Sequence, residues 1–231
     1  MKRFAVILSH NRPELLRQTV EAIGPQVDMV IVIDNASDPP VRYQDLAAAD
    51  RNVSLFSVPD QPPNLAALWQ FGIDRAANMR ELSSDGERDE PWYIAFLCDD
   101  APPPDRWFLA VTDAMEATGA VVGCSSPWPH PGPGVNVVKT APDGDIMGRM
   151  PGWAFVLDAT SKVRPDQSMH FWWLDTDLDL QARAAGGMVM TGGHPVPNLR
   201  PGEFTATKPW AAERIGLDTI AFEKRWGPRP W

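Results

Sequence analysis

The feature that most constrains the fold is an alternation of short apolar runs with helical segments along residues 4–124. Each apolar run has the length of one buried strand, and apolar residues recur at helical spacing between the runs. The predicted strands are residues 4–8, 29–33, 53–58, 93–97 and 120–124, and Pro13, Asn64 and Asp105 open the predicted helices. This alternation predicts an α/β fold with a mostly parallel, doubly wound central sheet flanked by helices.

The pattern changes after residue 125. Residues 125–152 are rich in proline and glycine, which predicts a long functional loop that closes over a ligand. Further short strands are predicted at 153–157 and 188–190, and further helices at 175–185 and 210–224. No internal repeat and no second domain is visible, so a single domain over residues 1–231 is predicted.

Composition narrows the classes of partner. The net charge is −9, from 30 acidic and 21 basic residues, and an acidic chain lacks the electropositive surface of a nucleic-acid-binding protein. A nucleotide ligand stays open because a divalent cation can supply positive charge locally. Cys98 and Cys124 are far apart in sequence, which favours a reduced, cytoplasmic protein. No apolar run approaches the length of a transmembrane segment.

The strongest local signal is a pair of acids at the end of a predicted strand, in FLCDDAPPPDRWF. Asp99 and Asp100 are adjacent, and neighbouring carboxylates repel each other unless a cation lies close by. Their hard oxygen ligands suit Mg²⁺ or Mn²⁺, with diphosphate oxygens completing the shell. An equally open alternative is a solvated loop in which aspartate forms the turn.

A second signal lies where a predicted helix begins. Phe171, Trp172 and Trp173 immediately precede Asp175, so an apolar wall would stand beside a carboxylate that acts as a general base. Acids in a first helical turn are also favoured by the helix dipole, and the aromatic side chains could simply pack in the core. His194 follows a short predicted strand and is a candidate metal ligand, with a surface role as the alternative.

The order of these motifs resembles the GT-A glycosyltransferases, in particular family 2-like members. The segments that carry the resemblance are VILSHNRPELLRQTVEAI, IVIDNASD, NLAALWQFGIDRA, FLCDDAPPPDRW and WWLDTDLDLQARAAGG. The fourth segment is similar to the Asp-x-Asp motif of that family, and the fifth to its motif with the catalytic base.

The resemblance implies a single GT-A, Rossmann-like domain. Residues 1–124 would form its nucleotide-sugar-binding half, and residues 125–231 an acceptor-side extension with a C-terminal helix. The implied reaction is transfer of a sugar from a nucleotide-diphosphate sugar to an acceptor hydroxyl, dependent on Mn²⁺ or Mg²⁺ and inverting. The implied roles are donor binding by Ser9, Asn11, Asp34 and Asp99, metal binding by Asp100 and His194, general base catalysis by Asp175, and a sugar or acceptor pocket formed by Trp172 and Trp173.

Three positions depart from the family pattern. Cys98 stands at the first Asp of the Asp-x-Asp motif, Leu174 at the Glu before the base, and Trp69 where an Asn is common. The departures at Cys98 and Leu174 leave open a non-catalytic nucleotide- or sugar-binding module, or a degenerate transferase. A sugar-phosphate nucleotidyltransferase would show a glycine-rich loop after the first strand, and residues 9–14 contain no glycine.

Overall fold

The computed structural model describes residues 1–46, 52–59, 62–83, 90–126, 132, 134–141, 149–199 and 207–228. Its strands are β1 Lys2–Ser9, β2 Met29–Asn35, β3 Val53–Val58, β4 Trp92–Cys98, β5 Val122–Ser125, β6 Asn136–Lys139, β7 Ala154–Asp158 and β8 Met188–Thr191. Its α-helices are α1 Pro13–Ile23, α2 Leu65–Ser83, α3 Trp107–Thr118, α4 Leu174–Ala185 and α5 Ala211–Trp226. No helix among these residues is long and apolar enough to cross a membrane.

The strands form one sheet in the order β3-β2-β1-β4-β7-β5-β8-β6. Strands β3, β2, β1 and β4 run parallel, as do β5 and β8, whereas β7 and β6 are antiparallel to their neighbours. The predicted α/β architecture with a mostly parallel sheet is confirmed. The chain reverses its direction of winding between β1 and β4, and ligands of open α/β sheets bind at such a point.

The sheet is covered on both faces. Alternate residues of β1 enter two separate cores, Phe4 and Val6 on one side and Ala5 and Ile7 on the other. Apolar residues of α2, α4 and α5 pack against the first face, and those of α1 and α3 against the second. Continuous apolar strands are typical of a sheet buried on both faces.

Residues 125–152 were expected to be a loop, and this is wrong for part of the stretch. Strand β6 lies within it and pairs antiparallel with β8, placing Val137 opposite Met190. The strand is four residues long and mostly exposed at the sheet edge, so its sequence has no buried alternation to reveal it. Most of the remaining stretch, including Trp128 and His130, lies outside the described residues, and its closure over a ligand stays a prediction.

Local signals set two of the helix starts. The Asn64 side chain accepts a hydrogen bond from the N–H of Ala67 at 3.0 Å, which is the cap predicted for α2. Helix α3 begins at Trp107, later than predicted, because Arg106 adopts a left-handed conformation (φ 63°).

Candidate functional site

A cleft of about 1130 Å³ opens where β1, β2 and β4 end. Both sides of the cleft carry residues that the sequence singled out. They are Ser9, Asn11, Asp99, Asp100, Trp172, Trp173 and Asp175. Asp34 and His194 are not among the lining residues.

The adjacent acids of the β4 end are already engaged with protein groups. Asp99 accepts hydrogen bonds from the Ser9 hydroxyl at 3.0 Å and the His10 N–H at 3.3 Å. Arg12 Nη1 bridges the pair, lying 3.3 Å from Asp99 Oδ1 and 3.0 Å from Asp100 Oδ2. Both carboxylates are buried, while the Arg12 side chain is 28% exposed. The guanidinium therefore holds the place where a cation is expected.

Burial of this pair changes the protonation behaviour around it. Burial raises the pKa of Asp99 to about 6, and the charge of Asp100 adds to the rise, against the opposing effect of Arg12. The pKa of Cys98 is also raised, first by burial, then by the charges of Asp100 and Asp99 and to a smaller degree by that of Asp175. Acids on both walls of the cleft therefore raise the pKa of the same thiol, which stays neutral.

The turns after β1 and β2 are held together by side chains. His10 Nδ1 donates to the Asn35 carbonyl at 2.7 Å, which leaves Nε2 to accept from the Asn11 amide at 3.1 Å. Asn11 has a left-handed backbone (φ 58°), and its N–H donates to the Ser37 hydroxyl at 2.8 Å. Its side-chain oxygen accepts from the Asp38 N–H at 2.7 Å. The two turns form one rigid edge of the cleft.

Asp34 lies behind this edge. It is buried, and its two carboxylate oxygens accept from the N–H groups of Ser37 at 3.2 Å and Val41 at 3.0 Å. Asp34 therefore shapes the turn, while its neighbour Asn35 lines the cleft. Its predicted contact with a nucleobase stays a prediction.

Asp175, the second residue of α4, stands on the other side of the cleft. It is half-buried, and its Oδ1 accepts from the N–H of Thr176 at 2.8 Å. Gly152 leaves room for this carboxylate, because a Cβ at that position would lie 3.0 Å from Asp175 Oδ2. Arg149, which also lines the cleft, donates to the Thr176 hydroxyl at 2.7 Å.

Three aromatic rings form a surface near Asp175. The rings of Phe171 and Trp172 lie 4.9 Å apart, and Trp210 lies 5.6 and 6.2 Å from them. All three rings line the cleft. Phe171 and Trp172 lie before α4, whereas Trp210 directly precedes α5. Flat apolar faces with a polar edge suit the binding of sugars.

Trp173 joins this surface to α4 in a strained conformation. Its backbone is left-handed (φ 67°), which costs a bulky residue on the order of 1–3 kcal/mol and persists only where the surroundings hold it. Its Nε1 donates to the Thr219 hydroxyl at 2.9 Å, and its ring lies 5.2 Å from that of Phe222. Helix α5 therefore supplies the restraint.

The loop after β8 lines the cleft with Asn198 and not with the predicted residue His194. His194 is exposed and has a left-handed backbone (φ 52°), whereas Asn198 lines the cleft. The N–H of Leu199 donates to the Asp100 carbonyl at 2.9 Å and ties this loop to the acids. Within the described residues, no group of three or more His, Cys, Asp or Glu side chains forms a metal cluster. The geometry gives the predicted metal role of His194 no support.

Several lining residues were not singled out from the sequence. They are Arg12, Arg149, Trp153, Lys208 and Trp210. Arg12 lies in the turn that carried the first motif, so its position beside the strand-end acids was a usable signal. No sequence pattern places residues 208–210 in the same cleft as the β4 end, because that proximity results from the packing of α5.

Comparison with known proteins rests on structure. No protein-family model matches the chain, and no curated protein matches it by sequence. The first 349 residues of Staphylococcus aureus TarS, in complex with UDP-GlcNAc, superpose with a TM-score of 0.63 at 8% identity, covering 96% of this chain and 67% of that one. The chain spans 36% of a longer TarS structure.

Two further structural neighbours have names that describe enzymes. Glucosyl-3-phosphoglycerate synthase from Mycobacterium tuberculosis, in complex with Mn²⁺ and UDP-glucose, has a TM-score of 0.57 at 14% identity, covering 99% of this chain and 80% of that one. A 4-diphosphocytidyl-2C-methyl-D-erythritol synthase from Anaerococcus prevotii has a TM-score of 0.50 at 10% identity, covering 96% and 98%.

The chain has the GT-A fold. The resemblance read from the motif order is confirmed at this level, since TarS and the glucosyl-3-phosphoglycerate synthase are GT-A-type glycosyltransferases. Identities this low establish the architecture alone, so chemistry has to be argued from the cleft.

Proposed function

We propose that this protein is a glycosyltransferase that moves a sugar from a nucleoside-diphosphate sugar to an acceptor hydroxyl. The observation that carries the proposal is the placement of two strand-end acids and a helix-start acid on the walls of one cleft. Structures of two GT-A neighbours hold UDP-GlcNAc or UDP-glucose, which supports a nucleotide-sugar donor.

The acid pair fits a divalent cation. Asp99 and Asp100 supply hard oxygen ligands, and Mg²⁺ or Mn²⁺ commonly takes one or two carboxylates, waters and substrate phosphates. When bound, the cation would neutralise the diphosphate as it leaves. Arg12 contacts Asp99 Oδ1 and Asp100 Oδ2, so a cation held by those two oxygens would displace the guanidinium, which could then face the phosphates.

The other lining residues divide between donor and acceptor. Ser9, Asn11 and Asn35 would contact the nucleoside at the rigid edge formed by the first two turns. Asp175 would take the proton of the acceptor hydroxyl as that oxygen attacks the anomeric carbon. A single base acting opposite the leaving diphosphate gives inversion. Trp172 and Trp173 would line the sugar or acceptor pocket.

A nucleotidyltransferase is the second candidate, because the superposition on the Anaerococcus prevotii synthase covers 96% of this chain and 98% of that one. That reaction joins a nucleoside triphosphate to a sugar phosphate and releases pyrophosphate. A non-catalytic binding module is the third candidate, and the residues Cys98 and Leu174 at motif positions favour it.

One screen separates these candidates. The protein is incubated with a panel of nucleotide sugars, including UDP-glucose and UDP-GlcNAc, with Mn²⁺ or with EDTA, and free nucleoside diphosphate is measured. A parallel panel pairs nucleoside triphosphates with sugar phosphates and measures pyrophosphate. Mn²⁺-dependent release of a nucleoside diphosphate is the expected result. Pyrophosphate release alone, or tight nucleotide binding without turnover, would overturn the proposal.

A further inference from the structure

Helix α5 carries an acid in its buried stripe. Ala211, Ile215, Asp218, Phe222 and Trp226 recur at the spacing of one helix face. Ala211, Asp218 and Phe222 are the buried residues of α5, and Asp218 is fully inaccessible to solvent. A charged group at such a position is retained only where it has strong hydrogen-bond partners.

The partners of Asp218 are three consecutive backbone N–H groups. Asp218 Oδ1 accepts from His170 at 2.9 Å, and Oδ2 accepts from Phe171 and Trp172, each at 2.8 Å. Hydrogen bonds to a carboxylate are the stronger kind, and the three together fix the path of the backbone. This segment leads directly into α4, and Asp175 follows it by three residues.

Neighbouring contacts attach the same region to the rest of the fold. From α2, the Leu65 N–H donates to the His170 carbonyl at 2.6 Å. From α5, Thr219 accepts from Trp173 Nε1 at 2.9 Å, and Trp226 Nε1 donates to Asp177 Oδ1 at 2.8 Å. The residues on each side of Asp175 are therefore held by α5.

We infer that Asp218 is a positioning residue for the acceptor side of the cleft. By holding residues 170–172, it sets where the Trp172 ring and the Asp175 carboxylate lie. Its catalytic consequence rests on the function proposed above, whereas its hold on the backbone does not. Loss of Asp218 should therefore loosen residues 170–172 and slow transfer without weakening nucleotide binding.

The test uses Asp218→Asn, with Glu213→Gln as its matched control. An amide keeps one acceptor oxygen but turns an N–H group toward backbone donors, so the contacts of residues 170–172 are partly lost. Glu213 is an exposed acid of the same helix, and the N–H groups of residues 170–172 donate to Asp218 instead. Asp218→Ser, which keeps one hydroxyl oxygen as an acceptor, serves if Asp218→Asn does not fold. Thr219→Val removes the separate hydrogen bond between α5 and Trp173.

Three readouts are compared in the full-length protein. Hydrogen–deuterium exchange of peptides covering residues 168–174 should quicken about tenfold or more in Asp218→Asn and stay unchanged in the control. Calorimetric affinity for UDP with Mn²⁺ should stay within about twofold of the native value, while UDP release from UDP-glucose falls about tenfold. Thr219→Val should show the same pattern to a smaller degree.

Unchanged exchange of residues 170–172 in the folded Asp218 variant would overturn the inference, whatever Thr219→Val shows. A matching fall in UDP affinity would also overturn it, because that indicates general damage. If the native protein releases no nucleoside diphosphate from any donor, the proposed function fails, and the exchange data still decide whether Asp218 holds residues 170–172.

Discussion

The two sides of the cleft are built in different ways. The side proposed to bind the donor, called the donor side, consists of turns that directly follow β1, β2 and β4. Its bonds join residues such as Ser9 and Asp99 across neighbouring strands. The side proposed to bind the acceptor, called the acceptor side, includes residues 170–172 and the start of α4. It depends on α5, which starts at Ala211, far along the chain. The donor side follows from the topology of the sheet, while the acceptor side follows from how one helix packs against it.

The two sides therefore depend on different properties, namely the balance of charge on the donor side and the placement of side chains on the acceptor side. On the donor side, Arg12 balances the buried acids, so substitutions there should alter the binding of metal and nucleotide. On the acceptor side, Gly152 leaves room for the Asp175 carboxylate and α5 holds the neighbouring Trp173, so substitutions there should alter the rate. The two sides should therefore respond to mutation in different measurements.

The largest expected difference comes from Asp175→Asn. The amide cannot take a proton, so the transfer rate should fall by about 10²–10⁴-fold while the affinity for the donor is kept. Single-turnover transfer and calorimetry with UDP-glucose and Mn²⁺ measure the two quantities. Native-like transfer would remove Asp175 from the base role.

Asp100→Ala should lower the affinity for the nucleotide. Loss of one acid should reduce Mn²⁺-dependent affinity for the nucleotide about a hundredfold, since even residues around metal ligands contribute 10–100-fold. Titration with UDP in Mn²⁺ and in EDTA measures it. Asp113→Ala, on the exposed face of α3, is the control. Equal affinity of both variants in Mn²⁺ would contradict metal binding at this pair.

Gly152→Ala tests how tightly Asp175 is held. The new Cβ would lie 3.0 Å from Asp175 Oδ2 and 3.1 Å from its Cβ, so the carboxylate must shift by a few tenths of an ångström. The rate should fall about tenfold with unchanged UDP affinity, because small displacements of a catalytic group are costly. Gly216→Ala, with nothing within 4 Å of the added carbon, should leave the rate at the native value. A native rate in both variants would show that Asp175 moves freely.

Arg12→Gln is expected to have the smallest effect, and its sign is informative. Without the guanidinium, the acid pair lacks its internal cation, so affinity for Mn²⁺ alone should rise about three- to tenfold. Calorimetry with MnCl₂ in the absence of nucleotide measures it. Arg17→Gln removes the same charge from an arginine of α1 that pairs with Glu14, and it should change nothing. A weaker Mn²⁺ affinity in Arg12→Gln would mean that Arg12 does not compete for the acids.

Much of the fold could be read from the chain because its signals are local. Predicted strand 53–58 matches β3, and predicted helix 175–185 differs from α4 by one residue. Strand β6 was missed because an exposed edge strand has no burial to impose a pattern. The strand-end acids were found for the same local reason that made the strands visible.

The remainder of the site could not be read in this way. Asp218 looks like any acid of an amphipathic helix until its partners are known, although its place in the apolar stripe was a signal. Asp34 was assigned by its place in a motif and His194 by its place after a short strand. The tertiary contacts put Asp34 behind the cleft edge, and His194 is not among the lining residues, so their roles stay predictions. Motif position does not encode the direction of a side chain.

By itself the sequence determined the order of strands and helices apart from β6, the parallel part of the sheet and the acids that gather at its carboxyl edge. Apolar runs and helical spacing act over a few residues, and parallel strands bring their ends to one edge whatever the loops contain. Only the tertiary structure decided that Arg12 bridges those acids, that Gly152 makes room for Asp175, and that α5 holds the acceptor side. These contacts join residues distant in sequence, and their geometry depends on packing across the whole fold.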